Sequence, residues 1–338
     1  MSRTSPGRFR ITQARAASFT SSSTRRLPIT LGTMPEPGWP LWVDKLFKGA
    51  ASQEQIERDG VIARVFETSA FRFVRSRMRG ARELAPREFE AATVALYAAI
   101  ARQMARPPTR HAVRVWNYIP DIHRLSGPGI DRYMVFNAGR FEACRTWLGD
   151  FSPQSRFEGH LPTASGIGHG GNDLVIDALL CEESGAAVEN PRQIPSYKYA
   201  RRYGPKPPCF SRATMLPATA QTGRRILVGG TASIVGEDSL HAESLAKQIQ
   251  ETLLNLASLV RAAGGIENVA PGQPLLGLEL FEELRIYHPC QGDIDAIGRA
   301  IAASFSPDVR VQWVPAQLCR RELLVEIEGV ARCGVSGI

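Results

Sequence analysis

The sequence predicts an α+β fold, and three observations carry that prediction. In residues 218–332, short strand-like apolar runs alternate with two stripes of helical spacing, which gives an open sheet with helices packed on one face. Upstream, one long helical stripe is followed by further strand-like runs. The chain also has 338 residues at 43% hydrophobic and 22% charged composition, enough to bury one large core or two ordinary ones, so global disorder is excluded.

Taken in order, the first element is a helix over Pro86 to Met104, whose stripe is Phe89, Val94, Tyr97 and Ile100 and which ends at Pro107-Pro108. Strands are predicted at Ala112 to Tyr118, Arg132 to Phe136 and Leu174 to Leu180. The stretch 189–217 is dense in tyrosine, arginine and proline, too rigid for a flexible linker and too irregular for an element, and reads as an ordered functional loop joining two halves. In the second half, Ile226 to Gly229 is a strand. Asp238-Ser239 is placed to cap a helix with the stripe Leu245, Ile249, Leu253, Leu256 and Val260, closed by Gly264-Gly265. A strand at Leu284 to His288, a helix at Ile294 to Ser304 capped by Asp293, and strands at Val309 to Val314 and Leu323 to Val330 complete the pattern. The resulting division is an extension at 1–33, an N-terminal α+β half at 34–217, a C-terminal domain at 218–332 and a tail at 333–338, with no other convincing internal repeat.

The formal charge is +8, but six arginines in residues 1–33 (Arg3, Arg8, Arg10, Arg15, Arg25, Arg26) account for six of it, leaving +2 on the remainder. Non-specific binding to nucleic acid thereby loses its main support. The Arg/Ser/Thr-rich extension has the composition of a transit peptide or a disordered segment, and a start at Met34 is a third reading. No run approaches the ~20 apolar residues of a membrane span. Cys144, Cys181, Cys209, Cys290, Cys319 and Cys333 form no CxxC pair, so neither zinc nor a disulfide framework is indicated and a reducing, cytoplasmic compartment is expected. The histidines show no HxH or HxxxH spacing; no metal is expected.

Gly166 to Gly171 satisfies GxGxxG without the required context: loop-like residues precede it and a strand follows, so it reads as a turn or a glycine-rich loop near a ligand, with no dinucleotide. In the final strand, Glu326 and Glu328 share one face while Val325 and Ile327 share the other. Such a carboxylate, fixed on a strand among apolar residues, is a candidate acid with a raised pKa; the alternative is an edge strand with a solvated acidic face. Tyr197 to Arg212 interleaves cations with aromatic rings. That pattern serves either single-stranded nucleic acid or a small ring bearing carboxylates, and its prolines favour the compact pocket. Arg140 is a further cation in an apolar setting, either a ligand holder or a surface ion-pair partner.

These residues carry a resemblance. Residues 226–332 resemble the RidA/YjgF-like (chorismate-mutase-like) fold in Gly229-Gly230-Thr231-Ala232-Ser233-Ile234-Val235-Gly236, in the helix Gln248 to Val260, and in Val325-Glu326-Ile327-Glu328-Gly329-Val330-Ala331. The upstream half, with Val115-Trp116-Asn117-Tyr118-Ile119-Pro120, Phe136-Asn137-Ala138-Gly139-Arg140 and the run Tyr199 to Pro208, has no counterpart in small RidA proteins and looks like a related or degenerate α+β half. Together, over roughly Met34 to Ala331, the motifs resemble the chorismatases, which split chorismate into pyruvate and a cyclic acid without a cofactor.

The resemblance implies Glu326 as the acid that protonates the enolpyruvyl ether, and Arg140, Arg202, Tyr203 and Arg212 as holders of the substrate carboxylates. It implies Cys319 as a second catalytic residue, at the place where hydroxybenzoate-forming members carry a cysteine, unless it is a buried structural thiol. Ala232, implied to be a further substrate-binding residue, looks instead like the hydrolytic branch. The mixed pattern resembles enzymes making 3-hydroxybenzoate and also 4-hydroxybenzoate, for aryl-polyene pigment or ubiquinone synthesis; hydrolysis to a dihydroxycyclohexadienoate is the alternative product. The implied assembly is a monomer or trimer. Two other classes stay open: a RidA-like imine deaminase, for which Arg310 is the nearest candidate carboxylate holder, and an RNA- or ligand-binding module.

Overall fold

Alternating side chains build two six-stranded sheets packed face to face, each covered by two helices on its outer face, while the short helix Leu41–Phe47 packs into the layer between them. The computed structural model describes residues 36–49, 52–108, 110–148, 157–218, 223–266 and 272–333. The extension 1–33, Met34 and residues 334–338 of the tail lie outside the described residues.

The first half runs α1 (Leu41–Phe47), β1 (Ser52–Arg58), β2 (Val61–Glu67), β3 (Phe71–Met78), α2 (Pro86–Ala105), β4 (His111–Pro120), the small ribbon β5 (Leu125–Gly127) and β6 (Ile130–Asp131), α3 (Arg132–Leu148), β7 (Thr163–His169) and β8 (Leu174–Cys181). Its sheet has the order β1-β2-β3-β8-β4-β7, with β4 and β7 parallel across α3. The second half runs β9 (Ala186–Val188), β10 (Ala213–Leu216), β11 (Arg225–Thr231), the ribbon β12 (Ile234–Val235) and β13 (Asp238–Ser239), α4 (Leu245–Gly264), β14 (Phe281–His288), α5 (Ile294–Ser304), β15 (Arg310–Pro315) and β16 (Glu326–Arg332). Its order is β15-β14-β16-β11-β10-β9, with β14 and β15 parallel across α5. Strands β9 and β10, which fall in the stretch 34–217, hydrogen-bond into this second sheet.

The two halves repeat one topology. The succession β2, β3, α2, β4, α3, β7, β8 is matched by β10, β11, α4, β14, α5, β15, β16, and the strand orders coincide. The matched strand orders agree with the related or degenerate N-terminal half that the resemblance implies, although no recurring residues mark the repeat, because pairing order is set by long-range contacts. Between the sheets, Phe71, Phe73, Trp116 and Leu179 of the first half meet Leu227, Tyr287 and Val330 of the second. Outside them, α2 and α3 cover one sheet through Phe89, Leu96, Ile100 and Phe136, and α4 and α5 cover the other through Ile249, Leu256, Ile297 and Ile301.

Several expectations are corrected. Arg132 to Phe136 is the first turn of α3, where the Asp131 carboxylate accepts the Met134 backbone N–H at 2.9 Å and starts a helix; five apolar-rich residues do not fix a period. Asp238-Ser239 is a short strand, and α4 is capped instead by Ser244, which accepts from Lys247 N, with Gly265 in the left-handed region at its C-terminus. In α2, Val94 is only half-buried and Thr93 and Leu96 carry the stripe beside Phe89, Tyr97 and Ile100. Gly166 and Gly168 belong to strand β7 rather than a loop: a Cβ on Gly168 would stand 2.4 Å from the Ile122 side chain, so a bare backbone is what lets the strand lie that close.

Candidate active site

Strand β16 lies between β14 and β11 at the centre of its sheet, which excludes the solvated edge-strand reading of its acids. Val325 and Ile327 are buried under α4 and α5, and the opposite face aims Glu326 and Glu328 at the first half. Both carboxyls are almost fully buried, at 4% and 3% exposure. Their partners differ completely. Glu328 accepts hydrogen bonds from Arg114 Nη2 at 2.6 Å, Ser165 Oγ at 2.5 Å and Trp116 Nε1 at 2.8 Å. Glu326 has no hydrogen bond or ion pair among the described residues. Burial first, and the Glu328 charge second, push its carboxyl up to about 8, against the pull of Arg114 and Arg212.

The Glu326 carboxyl opens into a cavity of about 300 Å³ between the two halves. Arg140, Arg202, Tyr203, Arg212, Ala232 and Cys319 all line it, from four separate stretches of chain. Arg140, on α3, is 1% exposed; its Nη2 donates to Asn137 Oδ1 at 2.7 Å, its Nε has no partner, and the guanidinium lies 5.5 and 5.4 Å from the Phe136 and Phe210 rings. Arg212 is similarly buried, donates to the Ile194 carbonyl and to Tyr199 Oη at 2.6 Å, and also keeps an unpartnered Nε. Neither forms an ion pair with a carboxylate among the described residues, although the Glu189 carboxyl stands close enough to Arg212 to interact with it, so two buried positive charges line the cavity.

Arg202 is different. It stands at the rim, 55% exposed, already paired with Glu237 at 2.7 Å and Asp238 at 2.6 Å, while Tyr203 donates to the same Asp238. Arg310 forms an ion pair with Glu283 at 3.0 Å on edge strand β15 and is absent from the cavity lining, which removes the carboxylate holder that the imine-deaminase alternative needed. Burial, with the Glu326 charge next, raises the Cys319 thiol to about 12, so it faces the cavity as a neutral group. No group of three or more His, Cys, Asp or Glu side chains among the described residues is arranged to hold a metal ion. No helix among them is long and apolar enough to cross a membrane.

Sequence reasoning did not single out Tyr133, Ser165, Tyr199, Phe210, Gly230 or Arg320. Gly230 matters most, since a Cβ there would stand 2.0 Å from Oε1 of Glu326; glycine makes the room the carboxyl occupies. Tyr133 was hidden in the run read as a strand. Arg320, lying 4.1 Å over the Tyr203 ring, closes the rim.

Comparisons with known proteins give the family. Residues 46–180 match the family model for the N-terminal part of FkbO/Hyg5-like chorismatases. The chain is 36% identical to a 3-hydroxybenzoate synthase of Streptomyces hygroscopicus over 64% of its own length and 62% of that protein, so it spans less than two thirds of this relative. It is 32% identical to a chorismatase of Streptomyces rapamycinicus over 72% of its length and 70% of that protein. A solved chorismatase crystal structure superposes with a TM-score of 0.67 at 27% identity, covering 82% of this chain and 79% of the other.

Proposed function

The chain belongs to the chorismatase family, and on that premise we propose that it cleaves chorismate to pyruvate and 3-hydroxybenzoate by protonating the enolpyruvyl ether. The observation that carries the reading is the buried carboxyl of Glu326 opening onto a cavity lined by the buried guanidinium groups of Arg140 and Arg212, none of the three forming an ion pair among the described residues. Chorismate is a compact ring with two carboxylates, and two unpaired guanidinium groups suit it. Held there, its ether methylene receives the proton of Glu326, and the positive charge that develops on the ether carbon is what the site must then direct.

Atom balance separates the outcomes. When the ring 4-hydroxyl leaves as water and the ring aromatises, the water lost equals the water taken up at the ether carbon to release pyruvate, so hydroxybenzoate and pyruvate together balance chorismate. When water attacks instead, one water is consumed and a dihydroxycyclohexadienoate results. The neutral thiol of Cys319 in the cavity supports the first outcome, and the 3-hydroxybenzoate synthase among the relatives supports it too. Ala232, buried in the same wall, is the observation that favours the hydrolytic alternative. Formation of some 4-hydroxybenzoate, supply of either acid to pigment or ubiquinone synthesis, and action in the cytoplasm are part of the proposal. Chromatography of the products from ring-labelled chorismate tests it: 3-hydroxybenzoate is expected as the main labelled product, and a dihydroxycyclohexadienoate in its place would transfer the chain to the hydrolytic reading.

A further inference from the structure

Behind Glu326 lies a buried polar cluster that the proposed chemistry does not use directly. Ser165 Oγ on β7 accepts from Gly230 N at 2.8 Å and from Arg114 Nη2 at 2.6 Å, and donates to Glu328 at 2.5 Å. Arg114 Nη1 is in turn tied to the Val115 carbonyl at 2.8 Å, and its guanidinium lies 4.7 Å from the Trp116 ring. Every hydrogen-bond donor to the Glu328 carboxylate among the described residues thus comes from the first half, and the cluster clamps the two sheets together beside the cavity. It also fixes Gly230, at the irregularity where the register of β11 against β16 shifts between Val228 and Thr231. A Cβ on Gly230 would stand 3.1 Å from Ser165 Oγ and 2.0 Å from Oε1 of Glu326, so the cluster holds the backbone against which the acid rests.

We propose that Glu328, locked by Arg114, Ser165 and Trp116, is a positioning residue that keeps the neighbouring Glu326 uncharged and turned into the cavity. An acid two residues along the same strand face relieves a fixed negative neighbour by swinging away, by pairing with a cation or by keeping its proton, and Glu326 forms no ion pair among the described residues. The clamped Gly230 backbone blocks movement toward β11, which leaves the proton. The charged and titratable groups facing Glu326 are Glu328 beside it, Arg114 from β4, Arg212 from the loop before β10, Cys319 from the loop before β16 and Tyr133 from α3. Of these, Glu328 is the one whose charge opposes ionisation most.

This inference rests on reading Glu326 as the acid, and its test separates the two claims. In the full-length protein with ¹³C-labelled glutamate side chains, the Glu326 carboxyl is identified by its loss in Glu326→Gln and titrated without substrate; kcat and KM on chorismate are measured over the same pH range. Glu328→Gln is expected to move the Glu326 midpoint, and the alkaline limb of kcat, about one pH unit lower, a tenfold loss of proton affinity. KM should change less than threefold, and Glu328→Asp should restore the midpoint. Because Glu328→Gln leaves Arg114 buried without its counter-ion, the pair Arg114→Gln/Glu328→Gln serves if the single variant does not fold, with a smaller downward shift expected because the opposing pull of Arg114 is removed as well. A midpoint unchanged in the Gln variant, or equal losses in Glu328→Asp and Glu328→Gln, overturns the proposal. An unmodified protein that titrates as described but leaves chorismate intact overturns the functional reading alone.

Discussion

Glu326 and Glu328 stand two residues apart on one face of β16, and of the two only Glu328 is ion-paired, to Arg114 at 2.6 Å. One acid is therefore locked in an ion pair inside the protein, and the other faces the cavity with its proton. The first prediction concerns pH. The active form of Glu326 is the protonated one, so kcat should be level at neutral pH and fall about tenfold per unit once pH passes about 8. Glu326→Gln should lose roughly 10²- to 10⁴-fold in kcat at pH 7, the usual contribution of a positioned acid.

Stability should move the other way. The folded-state value of Glu326 lies well above the ordinary carboxylate value of ~4.3, so the folded chain holds a proton that the unfolded chain releases. The sign follows: stability falls as pH rises from about 4 to about 8 and is level above that. Glu326→Gln removes this loss, and urea unfolding should find it more stable than the parent by on the order of 3 kcal/mol at pH 7, with no difference near pH 4.

Gly230→Ala tests the room made for the acid. Its Cβ would collide with Oε1 of Glu326 and drive the carboxyl from its place. Steady-state kinetics should show kcat reduced about 100-fold with little change in KM, since a misplacement of about 1 Å is costly to chemistry and not to binding.

The two kinds of arginine should separate on substitution. Arg212→Lys gives up a buried planar fork and should raise KM about 10- to 100-fold, the worth of a charged hydrogen-bonded contact. Arg202→Ala removes a rim cation already paired with Glu237 and Asp238, and KM should stay within about threefold.

Cys319 should behave as a neutral wall rather than a nucleophile. With its thiol raised to about 12, only about one molecule in 10⁴ is thiolate at pH 8, so iodoacetamide should leave it unmodified in the native protein. Cys319→Ala should keep chorismate cleavage and shift the product toward the dihydroxycyclohexadienoate, as read by chromatography.

Much of this arrangement was legible in the sequence where the signal is local. The stripe of α4 gave Leu245, Ile249, Leu253, Leu256 and Val260 as its buried face, and all five are buried. The alternation of Leu323 to Val330 separated the two glutamates from Val325 and Ile327 before any fold was known. What stayed hidden depends on distance along the chain. Arg114 meets Glu328 across 214 residues and Ser165 meets it across 163, and no spacing rule reports such a meeting. The contrast with the first half was equally invisible. There β8 occupies the place of β16, and its buried Asp177 is fully engaged by Arg75 at 2.8 and 2.7 Å. The sequence of β8 reads as a plain apolar strand, and only its pairing with β3 shows why that acid is locked while Glu326 is left unpaired. Arg132 to Phe136 failed for a related reason: the Asp131 cap decided its state, and a short apolar run outweighed that signal.

The most direct measurement of the central claim is pyruvate release from chorismate as the only addition, by the parent protein and by Glu326→Gln side by side at pH 7. Release equimolar with hydroxybenzoate in the parent, and its loss in the variant, is the predicted result. No release by the parent, or release by the variant at the parent's rate, would contradict the account.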